Sequence, residues 1–122
     1  MSKRVLVIED TEDNRQIIRD LLTSVGYELL EAVNGEDGVA MAKQHRPDLI
    51  LMDIQLPVLD GYEATRRIKA VPELAHIPIV AVTSYALAGD EAKTRAAGCD
   101  AYIAKPFSPR ALLAKVRELL AE

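Results

Sequence analysis

The sequence predicts an α/β protein, a doubly wound five-stranded parallel sheet with helices on both faces. Three observations carry that expectation. Short apolar runs alternate strictly with longer amphipathic segments along 122 residues, as repeated strand–helix crossovers require. Runs such as LILM at 49–52 lack polar alternation and so read as strands buried on both faces. The units are also too few to close a barrel of the TIM type, which leaves an open sheet. The chain is one domain long (1–122), with no linker, internal repeat or low-complexity segment.

The elements follow in order. RVLVIE (4–9), rich in Val and Ile, is the first strand. Residues 12–26 place Ile17, Ile18, Leu21, Leu22 and Val25 at helical spacing and stop at Gly26, a natural residue just past a helix end. YELLEAV (27–33) is the second strand, and the segment 34–47 is a helix that begins on the turn pair Asn34–Gly35 and ends at Pro47. DLILMD (48–53) is the third strand, followed after LPVLDG by a helix over 62–71. IPIVAVTS (77–84) is the fourth strand, and residues 87–98 form an alanine-rich helix closed by Gly98. CDAYIAK (99–105) is the fifth strand, and the last helix spans 108–122, with Ser108 as N-cap and Pro109 at its first position.

Composition narrows the function. The chain is 49% hydrophobic and 28% charged, with a net charge of −4, so no basic field invites nucleic acid or an anionic membrane. One Phe, four Tyr and no Trp also make a poor stacking platform for single strands. The lone Cys99 cannot form an internal disulfide, which suits a reducing compartment. No apolar run approaches the roughly 18 residues of a membrane span, and Val5–Ile8 is too short for a signal-peptide core. The expected location is the cytoplasm.

In open parallel sheets ligands bind beyond the carboxyl ends of the strands. There the first strand carries Glu9 and Asp10, the third Asp53, the fourth Thr83 and Ser84, and the fifth Lys105 before Pro106. Each has an ordinary reading alone. Asp53 caps a turn, Glu9–Asp10 opens a loop, with Thr11 or Asp13 capping the helix that follows, Thr83–Ser84 caps a helix, and Lys105 is a solvated lysine. None of those readings explains their common edge. Three carboxylates held close repel one another unless a cation sits among them, and a donor set of hard oxygens without Cys or His favours a hard divalent ion over zinc. Mg²⁺ takes one or two carboxylates plus a phosphate. Lys105 supplies a compact positive charge and Thr83 a hydroxyl donor. These parts serve phosphoryl transfer onto a carboxylate.

VLVIED, DLILMDIQLPVLDG, IPIVAVTS and AYIAKPF together resemble the receiver domain of two-component response regulators, over essentially the whole chain. The resemblance implies the flavodoxin-like strand order 2-1-3-4-5. It makes Asp53 the phosphoacceptor, and Glu9, Asp10, Asp53 and the backbone carbonyl of Gln55 the ligands of Mg²⁺ or Mn²⁺. Thr83 becomes the switch hydroxyl, Tyr102 the switch aromatic and Lys105 the lysine that contacts the phosphate, with the Lys105–Pro106 peptide cis. The acidic pair is Glu-Asp where many receivers carry Asp-Asp. Gln55 and Tyr85 stand where they tune water access, while Cys99, His45 and His76 are packing or surface residues.

The implied partners are a histidine kinase or histidine phosphotransfer protein, which holds the donor histidine, and a protein reader. The reader docks on the face of the fourth helix, fifth strand and fifth helix. No direct contact with nucleic acid or membrane is expected, nor multiple-turnover catalysis on a substrate. The chain is similar to stand-alone receivers of bacterial cell division and polar differentiation, without an effector domain. A receiver excised from a hybrid histidine kinase and a docking-only receiver are the alternatives. A phosphatase of the haloacid-dehalogenase kind would need a second acid where Gln55 stands. A flavodoxin-like cofactor binder would need a phosphate-cradling loop where the sequence reads EDTEDN.

Overall fold

A computed structural model describes residues 3–83 and 90–121. Strands β1 (Arg4–Ile8), β2 (Glu28–Ala32), β3 (Leu49–Asp53), β4 (Ile79–Thr83) and β5 (Ala101–Ala104) alternate with helices α1 (Glu12–Ser24), α2 (Gly35–His45), α3 (Gly61–Lys69), α4 (Asp90–Ala97) and α5 (Pro109–Leu119). All pairings are parallel and the order is β2-β1-β3-β4-β5, as expected. β1 and β3 are adjacent, and the chain winds outward from them in both directions.

The unbroken apolar runs resolve into two cores because successive side chains on a strand point to opposite faces. Leu6, Ile8, Ile50, Met52, Ile79 and Ala81 pack against Val39 and Ala42 of α2 and Ala64 and Ile68 of α3. Val5, Val7, Leu49, Leu51 and Val80 pack against Ile18 and Leu22 of α1 and Leu112 and Val116 of α5. β3 and β4 are buried at every position, and the polar residues they carry, Asp53 and Thr83, stand at their carboxyl ends. β2, at an edge, buries only Ala32 fully.

The helix stops match their chemistry. Asn34 and Asp60 cap α2 and α3 by accepting the amides of Asp37 and Glu63, and Ser108 does the same for α5 from the Ala111 amide at 3.3 Å. Thr11 precedes α1 in extended conformation but its hydroxyl caps nothing. Gly26 follows α1 at φ 93°, a conformation that costs glycine little. The buried stripe of α1 is narrower than the spacing predicts. Ile18 and Leu22 are buried, while Ile17 is 49% exposed and Val25 37%, because α1 rolls only one row of side chains onto the sheet. Strands are also shorter than the apolar runs, and Glu9 and Lys105 stand just past their ends.

Candidate functional site

The carboxyl ends of β1, β3, β4 and β5 gather the expected residues at one edge. Asp53 is the last residue of β3 and pairs with Val82. Its strand then turns sharply, with the Ile54 amide bonded to the Val82 carbonyl and the Gly61 amide returning to the Ile54 carbonyl at 3.0 Å. That return needs glycine. A Cβ on Gly61 would stand 2.4 Å from the Asp53 carbonyl oxygen and 2.7 Å from the Ile54 Cα.

Glu9 and Asp53 are buried, at 2% and 3% exposure, although both are ionisable. The compensating cation is Lys105, whose Nζ lies 2.8 Å from Glu9 Oε1 and 3.2 Å from Asp53 Oδ2. Asp53 Oδ1 also accepts the Gln55 amide at 3.0 Å, and Glu9 Oε2 accepts the Thr11 amide at 3.0 Å. Asp10 is exposed, yet one carboxylate oxygen from each of Glu9, Asp10 and Asp53 falls within 4.8 Å of the others.

The electrostatics are uneven. Burial pushes the Asp53 carboxyl up from 3.8 to about 7, helped by the Glu9 charge and opposed by Lys105 and the Gln55 amide. Burial also acts to raise Glu9, but its bonds to Lys105 and the Thr11 amide outweigh that and hold it below the usual range. Lys105 is raised: burial works against its charge, and the bond to Glu9 and the charge of Asp53 prevail. Three acids meet one ammonium here. That excess of hard, negative oxygen fits a divalent cation such as Mg²⁺, which one or two carboxylates suffice to hold.

Thr83, 1% exposed, ends β4. Its hydroxyl accepts Gln55 Nε2 at 2.7 Å, and its carbonyl accepts the Lys105 amide at 2.7 Å. In β5, Tyr102 sits opposite Ala81 and is half-buried against the core that Ala81 joins. Alternation therefore puts Thr83 and Tyr102 on one face of the sheet. The Lys105–Pro106 peptide is cis. Cys99 packs beside Thr65, Sγ to Oγ1 3.7 Å, with burial raising its thiol. His76 is exposed and the backbone carbonyl of half-buried His45 accepts from Arg4. Ser84 and Tyr85 lie outside the described residues.

Two features of the site had no signal in the sequence. One is the side-chain bond from Gln55 to Thr83. The other is the bond at 2.8 Å from Arg15 Nη1 to the Glu9 carbonyl. Both join residues whose side-chain directions only the folded backbone sets.

The family model of the response regulator receiver domain matches residues 5–117. The polar-differentiation response regulator DivK of Brucella anthropi is 45% identical over 122 residues, covering 100% of this chain and 99% of the relative. DivK of Brucella ovis is 43% identical over the same 122 residues, 100% of this chain and 99% of that relative. Among solved structures, the receiver domain of a sensor histidine kinase from Pseudomonas aeruginosa PAO1 carries a magnesium ion coordinated in its active-site cleft. It matches with a TM-score of 0.93 at 38% identity, covering 100% of both chains. Chemotaxis protein CheY4 of Vibrio cholerae matches with a TM-score of 0.92 at 27% identity, over 98% of this chain and 99% of the other.

Proposed function

Because the chain belongs to the response regulator receiver domain family, we propose that Asp53 is its phosphoacceptor and that a phosphohistidine on a partner protein is the donor. The observation that carries this reading is the convergence of Glu9, Asp10, Asp53 and Lys105 on one sheet edge. An Asp53 carboxylate oxygen forms a bond to phosphorus as the bond from the histidine nitrogen breaks. The imidazole keeps the electron pair of the broken bond. Lys105, already between Glu9 and Asp53, then turns its ammonium to the new phosphoryl oxygens.

Glu9, Asp10, Asp53 and the Gln55 carbonyl are the groups that would hold Mg²⁺ or Mn²⁺. When bound, that ion would neutralise charge on the phosphoryl group. The phosphate brings nearly two negative charges and strong acceptor oxygens. Thr83 donates to it, and Tyr102 takes up the space vacated beneath Thr83. Both lie on one sheet face, so the change biases the surface of α4, β5 and α5 between two arrangements. A partner protein reads that surface, and hydrolysis of the acyl phosphate resets it.

The test is transfer from a phosphohistidine donor. A phosphorylated histidine phosphotransfer domain is mixed with the chain, and the label is followed on both proteins. Label is expected to pass to the wild type in Mg²⁺, and to neither the wild type in EDTA nor Asp53→Asn. Transfer to Asp53→Asn would place the acceptor elsewhere.

A further inference from the structure

Arg15 sits in the first turns of α1, and its side chain is only 11% exposed. Its guanidinium reaches back to the turn before the helix. Nη1 donates to the Glu9 carbonyl at 2.8 Å, Nη2 pairs with the Glu12 carboxylate, and Nε lies 3.4 Å from Glu31 Oε1 on β2. A planar fork with three such partners has little freedom to turn. The Glu9 amide still bonds across to the Ala32 carbonyl, but β1 has ended at Ile8. Arg15 thus supplies the carbonyl with a donor where the strand ladder stops.

Asp10 follows on the same peptide. Its carboxylate joins those of Glu9 and Asp53 within 4.8 Å, and no donor among the described residues holds it there. The backbone therefore sets the point from which that exposed side chain reaches the cluster. Glu9 is different: Lys105 and the Thr11 amide hold its carboxylate directly.

We propose that Arg15 is a positioning residue for the cation site, fixing the Glu9–Asp10 peptide so that the Asp10 carboxylate faces Asp53. The proposal rests on the reading of Glu9, Asp10 and Asp53 as the cation's ligands. Arg15 touches no ligand atom of the cation and acts through the peptide that carries two of them.

Charge and position act in opposite directions here. Arg19 binds both Glu31, at 2.8 and 2.7 Å, and Glu12, at 3.2 Å. Arg15, Arg19, Glu12 and Glu31 therefore cancel as a group. Removing Arg15 leaves an extra negative charge near the site, which by Coulomb attraction alone tightens cation binding. Loss of the carbonyl bond loosens Asp10 and weakens it.

The measurement is Mg²⁺ titration of the full chain without phosphodonor, followed by the amide resonances of Asp10 and Asp53. Arg15→Gln and Arg15→Met are expected to weaken binding about tenfold, the scale on which groups that orient metal ligands act. Arg19→Gln removes a charge from the same group without touching Glu9, and is expected to change binding by less than about twofold under salt screening. Arg15→Lys, with one donor group in place of the fork, is expected to fall between wild type and Arg15→Gln.

Unchanged or tighter binding in the Arg15 variants, or equal losses in Arg15→Gln and Arg19→Gln, would overturn the proposal. Should Gln and Met variants not fold, Arg15→Lys decides: weaker binding than Arg19→Gln supports the proposal and equal binding overturns it. A wild type that binds no Mg²⁺ overturns the cation reading itself, and the proposal with it.

Discussion

At Asp53, burial and the neighbouring Glu9 charge push the carboxyl from 3.8 to about 7. The folded chain therefore holds that proton more tightly than the unfolded chain does. Without divalent metal, the part of the stability that Asp53 contributes falls as pH rises from about 4 to about 7, and that loss stays in place above the range. Asp53→Asn cannot ionise and escapes this loss. Thermal unfolding in EDTA is expected to show Asp53→Asn more stable than wild type near pH 8, with the gap closing toward about pH 4. A gap independent of pH would contradict this origin. A second residue lies under backbone strain: Val58, 82% exposed, is held at φ 69°, where a β-branched side chain is crowded. Val58→Asn is expected to stabilise the chain by about 1 kcal/mol in urea unfolding, since Asn visits this region readily. The acids, Thr83 and Lys105 were legible in the sequence because each closes an apolar run. Arg15 was not, because its partner is a carbonyl that nothing in the residue types marks.

Among the elements, β3 and α3 are joined by the turn on which the site depends. Gly61 begins α3 directly over the Asp53 carbonyl, so an added methyl group must displace either the helix start or the end of β3. Gly61→Ala is expected to destabilise by roughly 1–3 kcal/mol, the range of overpacked sites, and to shift the Asp53 and Gln55 amide resonances. A neutral Gly61→Ala variant would show that the turn has slack. Strand and helix order could be read from the chain because apolar runs and helical spacing differ in period. Exact ends could not, since strands stop where pairing stops rather than where apolarity does. Ile17 illustrates the same limit on α1. Its spacing fits the buried stripe, but the roll of the helix on the sheet leaves it 49% exposed. Which face of β1, β3 or β4 a residue serves is likewise invisible in runs that are apolar on both faces.

Across the whole molecule, the site exists only when four strands align. Glu9 and Lys105 are 96 residues apart in sequence yet 2.8 Å apart in space, and Asp53 stands with them. The backbones of Lys105 and Thr83 are also bonded, so the site spans the ends of β4 and β5. Uptake of a phosphoryl group by Asp53 with the help of a divalent cation is read by intact mass. Wild type and Asp53→Asn are incubated with acetyl phosphate, each with Mg²⁺ and with EDTA. A gain of one phosphoryl group by the wild type in Mg²⁺ alone is the expected result. An equal gain by Asp53→Asn, or an undiminished gain by the wild type in EDTA, would contradict it.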